Sequence, residues 1–263
     1  MSIHPTAIVS PQAKLGANVT IGPYSIIEDG VTIGDDSVIH AHVHVKGNTI
    51  IGKGNHIYSF ACIGEIPQDL KFDPDEESRL EVGDNNTIRE YVTMNSGTAH
   101  GGGATCIGSH NLFMAYSHIA HDCRIGSHIV FANASNLAGH VTVQDHAIVG
   151  GLSAIHQFCH VGEGAMVGGG SIVVQDILPF VTAQGNHARA ITINKIGMSR
   201  RGYGEQEIAA VKRAFRLIFR SGTRRKDALE KLDKASLEFP SVAKMTEFYR
   251  NSQRGLAHCR NHR

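Results

Sequence analysis

The stretch "SHIAHDCRIGSH" (residues 117 to 128) sets His118 three residues before His121 and places Asp122 directly after it. Further along, His140 follows Gly139, and His156 precedes Gln157. An imidazole beside a carboxylate can do two kinds of chemistry. It can take a proton from a hydroxyl while the carboxylate holds its other nitrogen, or it can join further donors around a metal ion. A third reading is ordinary surface histidines on a regular scaffold, since the chain carries 17 of them. Spacing along the chain does not choose among these; the elements that carry the residues do.

Those elements are announced by a repeat. Counting in sixes from Ile3 gives Val9, Leu15, Ile21, Ile27, Ile33, Ile39, Val45, Ile51, Ile57 and Ile63 without a miss. The count resumes at Val82, Ile88 and Met94, and again from Ile107 through Phe113 and Ile119 to Val173. Four residues after each large residue stands a mostly small one, such as Ser25, Ser37, Ser117, Cys123, Ser135 or Ser171, and Gly often follows the large residue directly. Neither a helix nor simple alternation has this period. A hexad of one large and one small inward residue plus a turn makes one short strand and a corner. Three hexads then close a triangular coil of 18 residues, stacked at about 4.8 Å. Residues 1–186 are expected to form a parallel β-helix of hexapeptide repeats, with segments 64–80 and 100–106 looped out because they break the register.

Residues 187–263 differ in character. Ile208, Val211, Phe215, Ile218 and Phe219 fall at helical spacing, and "KDALEKLDKASLEF" and "SVAKMTEFYRN" predict two more helices. This basic α-helical domain holds 18 Lys and Arg against 7 Asp and Glu, a balance of +11, while the first 186 residues hold 7 against 17, or −10. Such a tail suits an anionic partner. It carries no recognised nucleic-acid motif, so no nucleic acid is expected. No apolar run is long enough for a transmembrane segment, the start lacks a secretory signal, and the five cysteines show no zinc or redox spacing, which together predict a cytoplasmic chain.

The 18-residue coil reorders the histidines. His121 falls beneath Gly139 and Gln157, so His121, His140 and His156 line one edge with Asp122 adjacent. A general base next to a backbone N–H that could receive an oxyanion fits acyl transfer. A metal-dependent hydratase of the carbonic anhydrase type, which uses three histidines on the same scaffold, is the alternative of another class. Neither cysteine nor paired carboxylates favour it, so no metal is expected.

The segments "IGEIPQDLKF", "HIAHDC", "LAGHV", "GGLSAIHQFC", "QGNHA" and "RRGY" occur along nearly the whole chain. With the coil and the helical tail they resemble the family of cytoplasmic UDP-N-acetylglucosamine O-acyltransferases that begin lipid A synthesis, and family members coil left-handed. The resemblance implies transfer of a 3-hydroxyacyl chain from acyl carrier protein to the glucosamine 3-hydroxyl, with no cofactor beyond that carrier, by a homotrimer. It implies His121 as general base, Asp122 as its orienting partner and Gly139 as oxyanion donor. His118, His140, His156 and Gln157 would contact sugar nucleotide or acyl chain. Asp69 and Lys71 would reach the glucosamine and phosphates from a neighbouring subunit, and Asn194, Arg200 and Arg201 the nucleotide region. Gly169 and His187 would limit acyl length, to roughly fourteen carbons. Acyl carrier protein is acidic, which matches the basic tail. Ile196 stands where the family has a carboxylate, and Asn95–Ser96 where a His–Arg pair is common; both leave open a modified, 3-amino acceptor. The related N-acyltransferase, with its extra N-terminal domain, is disfavoured because the coil begins by Ile3.

Overall fold

In the computed structural model, which describes residues 1–259, the large residues counted by sixes point inward: Ile21, Ile27, Ile33, Ile119, Ile125, Phe131 and Leu137 are all buried. Residues 260–263 of the expected basic domain lie outside the described residues. The chain is a left-handed parallel β-helix whose three faces are long parallel sheets. The first face includes Val130–Phe131 and Met166–Val167. The second runs through His118–Ile119, Asn136–Leu137, Ala154–Ile155 and Ile172–Val173, paired in register 18 residues apart. The third includes Arg124–Ile125, Thr142–Val143 and His160–Val161.

Strands of two residues suffice because each hexad spends the rest on its corner. The second corner residue is left-handed even where it is not glycine: φ is 59° at Asp122, 61° at His140 and 64° at Phe158. That conformation costs an ordinary residue on the order of 1 kcal/mol. It persists because the coil above ties it down, with the His140 N–H donating to His121 O at 3.0 Å and Phe158 N–H to Gly139 O at 3.3 Å. Inside, Phe113 stacks on Phe131 at 5.1 Å. Buried Asn55, Asn86 and Asn111 replace the small inward residue, and each side-chain oxygen accepts the N–H of the inward residue one coil on.

Both interruptions leave the coil, but with bounds that differ from the expected 64–80 and 100–106. Strand Cys62–Glu65 runs two residues past the hexad, and Arg79–Val82 pairs with Ala104–Ile107 along its whole length. The excursions are therefore 66–78 and 96–103. Pairing wins because Leu80, Ala104 and Thr105 are buried, and their backbone groups need partners there.

The sheet also continues past residue 186. Val181–Gln184 joins the first face, and Arg189–Ile193 folds back antiparallel on it. The helices follow: α1 Lys195–Arg200, α2 Glu205–Phe219, α3 Arg225–Ser236 and α4 Pro240–Asn251. The short α1 was not foreseen. Helix α2 buries Ile208, Val211 and Phe215, the spacing read from the sequence. Glu163 of the coil joins Arg201 and Lys244, each at 2.5 Å, and so ties α1 and α4 to the β-helix. Among the described residues no helix is long and apolar enough to cross a membrane.

Candidate active site

The corner between the second and third faces carries the histidines. His121 Nδ1 lies 2.7 Å from Asp122 Oδ2. One coil up, Gly139 stacks directly over the ring: a Cβ there would fall 2.5 Å from His121 Cε1. Only glycine leaves the imidazole this space. Among the described residues the Gly139 N–H has no acceptor, and Gly139 lines an open groove with His121. A carboxylate-paired imidazole and a backbone donor with no acceptor among the described residues thus line one volume.

Asp122 is held far more firmly than its exposed neighbours. Its side chain is fully buried. Thr98 donates to both carboxylate oxygens, through N–H to Oδ1 at 2.9 Å and through its hydroxyl to Oδ2 at 2.7 Å. The Asp122 N–H in turn donates to Thr105 Oγ1 at 2.8 Å. Burial alone would raise this carboxyl, but the hydrogen bonds from His121 and Thr98 outweigh it and hold Asp122 below the ordinary carboxylate range. An anionic Asp122 accepts from Nδ1 and leaves Nε2 of His121 free to take a proton.

The groove, about 1040 Å³, runs from this corner along the second face. Its walls include His118, His140, His156 and Gln157, with Asn136, Ala154 and Ile172 as outward residues of successive coils. His118 Nδ1 bonds Thr93 Oγ1 at 2.7 Å. Burial, with His121 nearby, lowers the His118 pKa. Burial also lowers that of His140, although Asp122 opposes it. His140 stacks on Phe158 with centroids 4.5 Å apart. Both excursions close over the groove, bringing Gln68, Asp69 and Lys71 from the first and His100 and Gly101 from the second.

Asp69 and Lys71 therefore line the groove of their own chain. Their excursion folds back across the second one, where Glu76 Oε1 accepts the Ala99 N–H at 2.9 Å. Five residues are not brought to this groove. Asn194 caps α1 through Gly197 N–H and donates to Gly164 O, at the corner between the third and first faces. Arg201 pairs with Glu163 beside it, and Arg200 is exposed at the end of α1. Gly169 sits at the opposite edge of the second face, where a Cβ would lie 3.2 Å from Gly151 O. His187 follows Asn186, which bridges to Ile172 at the end of the groove floor.

Thr98, Thr105 and His100 went unread in the sequence. They lie in or beside the second excursion, where the hexad is lost, and only the break in register hinted at them. His121, Asp122 and His140 offer three ligand atoms within 4.8 Å of one another, a set a metal ion could use. Both oxygens of that carboxylate already accept Thr98 donors, however, so the donor set fits a hydrogen-bonded pair better than an ion.

Residues 176–257 match the model of the second domain of UDP-N-acetylglucosamine O-acyltransferases, and residues 12–47 and 30–65 match the bacterial transferase hexapeptide. Over 254 residues the chain is 48% identical to the acyl-[acyl-carrier-protein]–UDP-N-acetylglucosamine O-acyltransferase of Halorhodospira halophila, covering 97% of this chain and 98% of that one. The UDP-N-acetylglucosamine O-acyltransferase structure from Moraxella catarrhalis superposes with a TM-score of 0.95 at 44% identity, over 98% of this chain and all of the other. The Francisella novicida UDP-N-acetylglucosamine acyltransferase gives 0.96 at 34%, over 98% and 95% of the two chains.

Proposed function

The chain belongs to the UDP-N-acetylglucosamine O-acyltransferase family, and from that premise we propose how its groove performs the transfer. It is an acyltransferase. The acceptor is UDP-N-acetylglucosamine, and the donor is a 3-hydroxyacyl chain on acyl carrier protein; the product enters lipid A synthesis. One observation carries the mechanism: His121 is bonded to Asp122 at 2.7 Å and packs directly beneath Gly139, whose N–H has no acceptor among the described residues. His121 Nε2 takes the proton of the glucosamine 3-hydroxyl as its oxygen attacks the thioester carbonyl. The Gly139 N–H receives the oxyanion. The C–S bond then breaks, and the departing thiolate recovers the proton from the His121 imidazolium. Asp122 holds the ring in the required tautomer and balances its transient charge.

His118, His140, His156 and Gln157 line the groove where sugar and acyl chain would meet. Asp69 and Lys71 would approach the glucosamine and phosphates. Because Asn194, Arg200 and Arg201 sit at another corner of their own chain, contact with nucleotide would come from a neighbouring copy, which supports a homotrimer. Gly169 and His187, beyond the groove's end, would set chain length near fourteen carbons. The step needs neither metal nor cofactor: activity that survives chelation supports this, and loss restored by one divalent ion argues for the hydratase-like alternative. The cytoplasm, where acyl carrier protein is found, is the expected compartment. The +11 balance of residues 187–263 would steer that acidic carrier, so kcat/KM for it should fall as salt rises, and a flat response counts against steering.

Mass spectrometry of the product from UDP-N-acetylglucosamine and mixed 3-hydroxyacyl carrier proteins tests the whole reading. An ester of that sugar is expected. No product with it, but an amide with the 3-amino analogue, would favour the second acceptor. The exposed, apolar Ile196 keeps that second acceptor open.

A further inference from the structure

Asp122 has two imidazoles within reach, and only one of them can be the base. The same oxygen, Oδ2, lies 2.7 Å from His121 Nδ1 and 3.7 Å from His140 Nε2. Both rings are mostly buried at the groove, 13% and 18% exposed, and they meet edge to face at 5.1 Å. Something else must aim the carboxylate. We propose that Thr98 is a positioning residue whose two-point grip on Asp122 selects His121, and not His140, as the proton acceptor.

The grip is geometric. Thr98 N–H on Oδ1 and its hydroxyl on Oδ2 fix the carboxylate plane from one side. Thr98 is fully buried and is itself locked, since it caps the turn Ala99–Gly101 by accepting the Gly101 N–H at 3.1 Å. Gly101 presses so closely that a Cβ there would fall 2.1 Å from the carboxylate carbon. From the backbone side, Thr105 holds the Asp122 N–H. The orientation left to Oδ2 faces His121 Nδ1. Without the hydroxyl, Oδ2 is freed to turn toward His140, and fewer molecules present the Nδ1–H tautomer of His121.

The inference rests on His121 being the base, so the experiment separates the two. Thr98→Val keeps the shape and removes the hydroxyl. Its kcat should fall roughly 10- to 100-fold, the scale on which one hydrogen bond to a charged group acts, with KM for UDP-N-acetylglucosamine within about threefold. Thr98→Ser should recover most of the turnover. Side-chain nitrogen NMR of the unaltered enzyme, which needs no variant to fold, should show His121 protonated at Nδ1 and His140 not bound to the carboxylate. In Thr98→Val the His121 ring should shift toward a mixture of tautomers. Wild-type kcat in Thr98→Val, equal losses in the Val and Ser variants, or His140 carrying the carboxylate bond in the unaltered enzyme would each overturn the role of Thr98. Activity retained in His121→Ala would instead overturn the base. An inactive His121→Ala beside a fully active Thr98→Val defeats the assignment to Thr98 alone.

Discussion

Two corners of the same coil share one backbone and do different work. At the corner between the third and first faces, outward N–H groups are capped by side chains from the next coil. Ala17 N–H donates to Asp35, Ser109 N–H to Ser127 Oγ, and Ser127 N–H to Asp145 Oδ1, at 2.7, 3.0 and 2.8 Å. At the corner between the second and third faces, the matching N–H of Gly139 is left open to the groove among the described residues. Glycine makes room at both places. A Cβ on Gly126 would fall 2.2 Å from the capping Asp145, and one on Gly139 would fall 2.5 Å from His121 Cε1. A satisfied donor stabilises the stack, whereas under the proposed mechanism the open one at Gly139 receives a reacting oxygen.

Substitutions at the two corners should therefore part cleanly between turnover and stability. The largest effect belongs to His121→Ala, expected to lose about 10² to 10⁴ in kcat with an unchanged thermal midpoint, read by steady-state kinetics beside calorimetry. Next comes Gly139→Ala, whose methyl displaces the ring and spoils the donor's aim; a loss on the order of 10² to 10³ in kcat is expected. Its counterpart Gly126→Ala should lower the melting temperature and leave kcat per folded molecule alone. Equal behaviour of the two glycines would dissolve the distinction between corners. Smaller still, Ser127→Ala removes one cap and should cost about 1 kcal/mol in denaturant unfolding without touching kcat.

Acid sharpens the same contrast. Burial holds the His118 and His140 pKa values below the ordinary 6.5, so the folded chain resists protons that the unfolded chain accepts. Their contribution is fully present above 6.5 and is lost as pH falls through the depressed folded values. Asp122, lowered by its hydrogen bonds, adds a loss only at more acid pH, below the ordinary carboxylate value. Melting temperature against pH should fall from 6.5 downward, less steeply in His118→Gln than in the parent. An unchanged slope in that variant would remove His118 from the account.

The hexad was legible because burying one aliphatic residue per strand is a strictly periodic demand, and Ile119, Leu137 and Ile155 meet it on successive coils. The same arithmetic placed His121 beneath Gly139. Thr98 obeys no period: it earns its position from one carboxylate reached across an excursion, and nothing in the local sequence declares that partner. The ends of both excursions were misjudged for a related reason, since Ala104 and Thr105 pair with Arg79 and Leu80 across a loop that hides their register. Asn194, Arg200 and Arg201 were grouped with the site by resemblance, while the chain's own path carries them to a different edge.

The left-handed backbone shared by Asp122, His140 and Phe158 has a consequence for how such a molecule can change. Every eighteenth residue occupies an equivalent socket, like pegs on a rack, and the rack accepts a carboxylate, an imidazole or a phenyl ring without bending. New reactivity would then require little redesign of the column itself. What singles out one peg is an arm reaching over from outside, so diversification should be sought in the lengths and contents of those arms.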